Sequence, residues 1–292
     1  MRKEHLARIF VSAIAATAIA APLASSAPAP LQAVDLELVL AADNSQSIDP
    51  SEARLQRQGV AAAFQHPDVV RAIQSGSLGR IAVAYLDWSS APYTKLTLDW
   101  RIISDKKSAD AFAEGLLKAP PAYGQGTAIG EALLIAARMI ETNNFQGTQR
   151  SIDVSGDGPN NTGRAVYEAR DEIVAKGISI NGLPVVSTGE YGTGEWGIYY
   201  GELENYYANC VIGGPRSFAI PAKGFAEFAA AIRHKLVLEI SDAGPIASPI
   251  VKIALAPGEP PPPQVMRPPS GGGGAQQCGG AGRFRRFPFG NF

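Results

Sequence analysis

The feature that most constrains the fold is an alternation of two hydrophobic patterns between residues 34 and about 243. Short apolar runs that suit buried strands alternate with stretches in which apolar residues recur every three or four positions, as in amphipathic helices. Strands that alternate with helices are typical of a mostly parallel sheet with helices on both faces. We therefore predict a doubly wound, mostly parallel α/β domain with about six strands.

The pattern also places individual elements. A short link through Pro92 joins the second and third strands, which predicts one antiparallel edge strand, because a parallel crossover needs about a dozen residues or more. Asp49 suits the N-cap of the first helix, with Pro50 at its first position and Glu52 as the capping-box partner. Predicted strands are 36–42, 80–86, 95–103, 150–155, 178–186 and 217–221; predicted helices are 50–64, 106–117, 128–141, 164–176 and 224–240.

The two ends of the chain differ from this middle part. A basic start is followed by an apolar run to about Leu23 and then by small residues, as in a bacterial export signal. We predict a signal peptide at 1–29 and hence a periplasmic or secreted protein. Residues 30–245 form the predicted domain, and the Pro- and Gly-rich residues 246–292 are predicted to be a disordered tail.

Charge is unevenly distributed along the chain. The whole chain has a net charge of −1, the first 24 residues +2 and the last 42 residues +4, so residues 25–250 carry −7. An acidic body repels phosphate backbones, which argues against a nucleic acid partner and is compatible with cations. The Arg- and Phe-rich end of the tail could touch an anionic envelope surface, although a disordered end is the preferred interpretation. The oligomeric state is left open.

Two further groups of residues have structural interpretations. Cys210 lies in a predicted helix and Cys278 in the Gly-rich tail, so a disulfide would have to tether a flexible end; we predict a buried free thiol at Cys210. The aromatic residues between Tyr191 and Tyr207 suit either a protein interface or a lid packed on the sheet edge.

Three segments at predicted element ends carry oxygen-bearing side chains. Asp43-Asn-Ser-Gln-Ser47 and Ser155-Gly-Asp157-Gly158 each follow a strand, and Gly124-Gln-Gly-Thr127 precedes a helix. Ligands of open α/β sheets bind at the carboxyl ends of the strands, so these segments are expected to meet. The candidate metal ligands are Asp43, Ser45, Ser47, Thr127 and Asp157.

Two carboxylates and three hydroxyls suit a hard divalent cation. Mg²⁺ takes about six oxygen ligands and usually keeps some water, and Mn²⁺ accepts the same oxygen set. Five side chains leave at least one position for a ligand from another molecule. The two carboxylates balance only the charge of the ion, so we expect the bound metal to attract a further carboxylate.

These residues resemble a known site. Asp43-x-Ser45-x-Ser47 after the first strand, Thr127 before a later helix and Asp157 in a strand-ending Asp-Gly are similar to the metal-ion-dependent adhesion site of von Willebrand factor A domains. The resemblance covers roughly residues 35–240 and implies that the hydroxyls reach the metal while the carboxylates often act through water.

Four segments carry a narrower resemblance: 35–40, 124–130, 211–218 and 235–240. They are similar to segments of an exported bacterial family of von Willebrand factor A-like domains, domain of unknown function 1194. This resemblance implies a fold but no biological role.

Three functions are compatible with such a site. The favoured one is metal-dependent adhesion, without catalysis, to a protein partner whose acidic side chain completes the metal shell. The second is a metal-dependent phosphoesterase or other hydrolase, which would need a general base; Asp153 and Glu131 are the nearby candidates. The third is a structural module that the metal only stabilises.

Overall fold

A computed structural model describes residues 30–186, 202–242, 264–268 and 278. Six strands form one sheet in the order β3-β2-β1-β4-β5-β6. Five of them are parallel, and the edge strand β3 is antiparallel to β2. The strands are β1 (Gln32–Asp43), β2 (Ile81–Trp88), β3 (Lys95–Ile103), β4 (Phe145–Gly156), β5 (Ser179–Val186) and β6 (Ala222–Lys223).

Helices cover both faces of the sheet, which confirms the predicted doubly wound α/β fold. Side chains of β1 alternate between two cores, because successive residues of a strand point to opposite faces. Leu38 packs with α1, α2, α3 and α7, and Val39 packs with α4 and α5. The helices are α1 (Pro50–Gln65), α2 (Pro67–Gln74), α3 (Lys106–Lys118), α4 (Ile129–Glu141), α5 (Val166–Ala175), α6 (Glu202–Tyr206) and α7 (Gly224–Asp242).

The start of α1 agrees with its predicted capping box. The Asp49 carboxylate accepts hydrogen bonds from the backbone N–H groups of Ser51 and Glu52, and the Glu52 carboxylate accepts one from the Asp49 N–H at 2.9 Å. Residues 187–201 lie outside the described residues. No helix of the described part is long and apolar enough to cross a membrane.

Two elements differ from the prediction. Helix α2 was missed, although His66 caps it by accepting a hydrogen bond from the Asp68 N–H at 3.2 Å and Pro67 occupies its first position. The sixth strand was predicted at 217–221 but lies at Ala222–Lys223. In the earlier segment, Ala219 forms an isolated parallel bridge to Gly182 of β5.

The free thiol predicted at Cys210 is wrong, because Cys210 and Cys278 form a disulfide. Residues 264–268 explain how the tail returns to the domain. Met266 lies antiparallel to Ala219 and exchanges two backbone hydrogen bonds with it, at 2.8 and 2.9 Å. The prediction of a disordered tail therefore fails for 264–268 and for Cys278; the rest of 246–292 lies outside the described residues.

Removing this disulfide is expected to destabilise the domain. In a double Cys210→Ser, Cys278→Ser variant we expect the free energy of unfolding to fall by about 2–4 kcal/mol, since the cross-link constrains the unfolded chain over a sequence separation of 68 residues. Urea unfolding of the oxidised wild type, the variant and the wild type in a reducing agent measures this loss of stability. The variant and the reduced wild type should have the same urea midpoint, below that of the oxidised wild type. Equal midpoints for all three samples would contradict the prediction.

Candidate metal centre

Two of the predicted loops leave neighbouring strands at the same edge of the sheet. Asp43 ends β1, and Asp157 directly follows β4, which is the parallel neighbour of β1. The Ser47 hydroxyl donates a hydrogen bond to Oδ1 of Asp157 at 2.8 Å, and the Oγ atoms of Ser45 and Ser47 are 3.0 Å apart. Asp43 Oδ1 accepts a hydrogen bond from the Ser45 N–H at 2.8 Å. The structure therefore brings these four residues together.

The third loop is joined to the other two through its backbone. The Gly124 N–H donates to the Asn44 carbonyl at 3.2 Å, beside a parallel bridge between Gly124 and Ser45. The Asn161 side chain, four residues after Asp157, accepts from the Thr127 N–H at 2.8 Å and donates to Thr127 Oγ1 at 3.4 Å. Thr127 is buried. All three loops thus lie at one edge of the sheet.

The two carboxylates of the site are held in an environment that disfavours their charge. Burial raises the pKa of Asp43 well above its usual value, and the charge of Asp157 raises it further. Burial also raises the pKa of Asp157, against the hydrogen bond from Ser47 that lowers it. Two partly desolvated carboxylates that repel one another are an arrangement that a bound cation would relieve.

The residues fit a hard divalent cation. Asp43 Oδ2 is buried without a hydrogen-bond partner among the described residues, and leaving such an atom unpaired costs about 1–3 kcal/mol. Gly156 keeps the space beside it open, because a Cβ there would lie 2.9 Å from Asp43 Oδ2. Carboxylate and hydroxyl oxygens are the ligands that Mg²⁺ and Mn²⁺ accept. The assignment of all five predicted residues as ligands stays a prediction.

A buried network that sequence reasoning missed supports the first loop. The Asp87 carboxylate, at the end of β2, accepts hydrogen bonds from the side chains of Asn44 at 2.6 Å and Thr97 at 2.5 Å. It also forms a buried ion pair with Arg57 of α1. Burial raises the pKa of Asp87, although Arg57 lowers it. Like Asp43 and Asp157, Asp87 lies at the carboxyl end of a strand. This position is the sequence signal by which Asp87 could have been identified.

The two residues considered as general bases are engaged elsewhere. Asp153 is buried within β4, with its Oδ2 at 2.7 Å from Nζ of Lys235. Glu131 Oε1 accepts a hydrogen bond from the Arg164 N–H at 3.1 Å. Within the described part of the chain, no three His, Cys, Asp or Glu side chains form a group that could hold a metal ion.

The aromatic stretch is described only at its end. Tyr206 and Tyr207 are buried against the sheet, and the Tyr206 hydroxyl accepts a hydrogen bond from the Asn160 N–H at 3.2 Å. Of the two interpretations of the aromatic stretch, a protein interface or a segment packed on the sheet, the second therefore holds for these two residues. The other aromatic residues of the stretch lie outside the described residues.

Comparison with solved structures finds several similar chains. Proximal thread matrix protein 1 from the mussel byssus, solved with a zinc-occupied MIDAS motif, is 17% identical over 74% of this chain and 49% of its own, with a TM-score of 0.48. BatB from Bacteroides thetaiotaomicron is 21% identical over 71% of this chain and 99% of its own, with a TM-score of 0.40. A von Willebrand factor type A protein from Catenulispora acidiphila is 14% identical over 72% and 43%, with a TM-score of 0.46.

The chain therefore spans about half the length of the mussel protein. A comparison with curated proteins finds no significant match. The model of one family, described as a protein of unknown function (DUF1194), matches residues 33–244, which is most of the chain. This match confirms the narrower of the two resemblances, and the chain belongs to the DUF1194 family.

Proposed function

We propose that this chain is a metal-dependent protein-binding module of the bacterial envelope or extracellular space. Its main support is the contact between Ser47 and Asp157, 2.8 Å apart although 110 residues separate them in the sequence. That contact joins two of the three loops of the predicted ligand set at the carboxyl ends of adjacent strands, where open α/β sheets bind ligands.

Each residue of the set has a distinct part in this proposal. Asp43 and Asp157 supply the negative charge that holds the ion, and the hydroxyls of Ser45, Ser47 and Thr127 complete an oxygen-only ligand set. When bound, Mg²⁺ or Mn²⁺ supplies a positive charge with at least one position open to an outside ligand. An acidic side chain of a partner protein would occupy that position. The proposal assigns no catalytic step to the site.

The envelope or extracellular setting rests on the sequence alone. The basic start, apolar run and small residues at 1–29 support export, and these residues lie outside the described part of the chain. An acidic body of net charge −7 also favours cations over nucleic acids as ligands.

The proposal is tested in two steps on the mature chain. Calorimetric titration with Mg²⁺ or Mn²⁺ should show one site per chain. Immobilised protein should then capture a defined protein from an envelope extract in the presence of the metal and release it with a chelator. The matched control is the same extract after its carboxyl groups have been amidated, from which capture should be lost.

The alternative functions give different results in the same assay. Metal binding without chelator-sensitive capture would support a structural role for the ion and contradict the proposed adhesion. Metal-dependent turnover of a model phosphoester would support a hydrolase. Capture that is insensitive to the chelator or to amidation would also contradict the proposal.

A further inference from the structure

Two buried polar atoms beside the candidate metal centre have no hydrogen-bond partner among the described residues. They are Oδ2 of Asp43 and the hydroxyl of Tyr207, and both side chains are fully buried. Buried polar groups in folded proteins almost always have a partner, so an unpaired one needs a specific explanation. Two of them at one site suggest a common explanation.

Both atoms lie against Gly156, the last residue of β4. A Cβ atom at Gly156 would be 2.9 Å from Asp43 Oδ2 and 2.9 Å from the Tyr207 hydroxyl. Burial raises the pKa of Tyr207 well above its usual value, and the nearby charges of Asp43 and Asp157 raise it further. The hydroxyl therefore lies close to the predicted carboxylate ligands.

The Tyr207 ring is held firmly in this position. Tyr207 starts the π-helical segment Tyr207–Val211, which the disulfide at Cys210 ties to Cys278. The ring packs on Gly182 of β5, where a Cβ would lie 2.7 Å from the ring atom Cδ1. A side chain fixed by packing can present a polar group with the precision that a metal site requires.

We propose that Tyr207 is a positioning residue of the metal site: when the cation is bound, its hydroxyl donates a hydrogen bond through one water to the Asp43 carboxylate and so orients this carboxylate toward the cation. This inference rests on the proposed function, because it takes Asp43 to be a metal ligand. A phenol donates one hydrogen bond, and an ionised carboxylate only accepts, so the two groups are complementary. Tyr207 belongs neither to the five candidate metal ligands nor to the four segments that resemble the DUF1194 family.

The test is Tyr207→Phe, which removes the hydroxyl and keeps the packed ring. We expect the dissociation constant for Mn²⁺, measured by calorimetric titration, to rise about tenfold, the lower end of what loss of a ligand-orienting partner costs. The melting temperature in chelator should stay the same or rise, because in the metal-free protein the variant removes a buried hydroxyl that has no partner among the described residues. The Mn²⁺ electron paramagnetic resonance spectrum should also change if the ligand geometry changes.

Tyr206→Phe is the matched control from the same segment. Its hydroxyl already accepts a hydrogen bond from the Asn160 N–H, so its removal should lower the melting temperature in chelator. Asn160 is outside the predicted ligand set, and the loss of Mn²⁺ affinity should be smaller than for Tyr207→Phe. The two variants are thus expected to differ in both measurements.

Three outcomes would overturn the inference. A Tyr207→Phe variant that binds Mn²⁺ within twofold of the wild type, or more tightly, would show that the hydroxyl does not act on the site. A parallel loss of affinity and of melting temperature in chelator would assign Tyr207 a merely structural role. Both results leave the proposed function standing, whereas a wild type that binds no Mn²⁺ overturns the inference and the proposed function together.

Discussion

Methionine in place of Lys235 is expected to lower the free energy of unfolding by about 3–5 kcal/mol, because it would leave buried carboxylates without their counter-charge. Lys235 of α7 is fully buried, and its Nζ lies 2.7 Å from Asp153 Oδ2 and 3.0 Å from Glu239 Oε2. Glu239 Oε1 accepts hydrogen bonds from Ser151 at 2.5 Å and from Asn181 at 2.6 Å. These five residues form one buried polar cluster. The Lys235 ammonium is the only cation that the described structure places in it.

The cluster joins α7 to β4, the strand that ends directly before Asp157. Burial raises the pKa of Asp153 to about 7, although the Lys235 ammonium lowers it. Even beside the Lys235 ammonium, the buried environment therefore disfavours a negative charge on Asp153. Removing one partner of a buried ion pair is far more costly than replacing the whole pair by neutral groups. A Lys235→Met, Glu239→Gln double variant should consequently recover part of the lost stability.

Urea unfolding of the metal-free protein measures this prediction. Lys118→Met is the matched control, since Lys118 pairs with Glu114 on the surface and both side chains are mostly exposed. Exposed pairs contribute about 0–1 kcal/mol, so the control should unfold close to the wild type. Equal unfolding free energies for the Lys235 and Lys118 variants would show that the buried cluster does not stabilise the domain.

The sequence predicted the order of elements well because most of them have local signals. Short apolar runs predicted the strands of the central sheet, and Asp49 with Glu52 predicted the start of α1 through a contact between residues three positions apart. The three loops could be predicted to converge because parallel strands end at a common edge. Such inferences need only neighbouring residues and the general geometry of a parallel sheet.

What could not be predicted depends on contacts between distant residues. The disulfide between Cys210 and Cys278 requires the tail to pair at Ala219, and no local pattern around Met266 indicates that pairing. The Asn44–Asp87 contact likewise joins residues from the ends of different strands. An Asp at the end of an apolar run does not indicate which residue its carboxylate will contact. Tyr207 was visible only as part of an aromatic stretch.

Alanine in place of Asp43 is expected to abolish metal binding, with a dissociation constant for Mn²⁺ raised on the order of 100-fold or more, beyond the loss typical of residues that only orient ligands. The fold should survive, because the buried side chains of β1 such as Leu38 and Val39 specify the strand independently of its last residue. The variant also removes a carboxylate whose charge burial disfavours. Its melting temperature in chelator should therefore stay within a few degrees of the wild type, roughly a 1 kcal/mol change.

Asp49→Ala distinguishes this specific loss from a general effect of charge. Asp49 lies six residues further along and carries the same charge, but its carboxylate caps α1. Its removal should cost about 1 kcal/mol of stability and leave Mn²⁺ affinity unchanged. Calorimetric titration of both variants, with melting curves in chelator, gives the two quantities for each. Wild-type affinity in Asp43→Ala, or an equal loss in both variants, would mean that Asp43 does not hold the ion, and the proposed adhesion site would lose its central ligand.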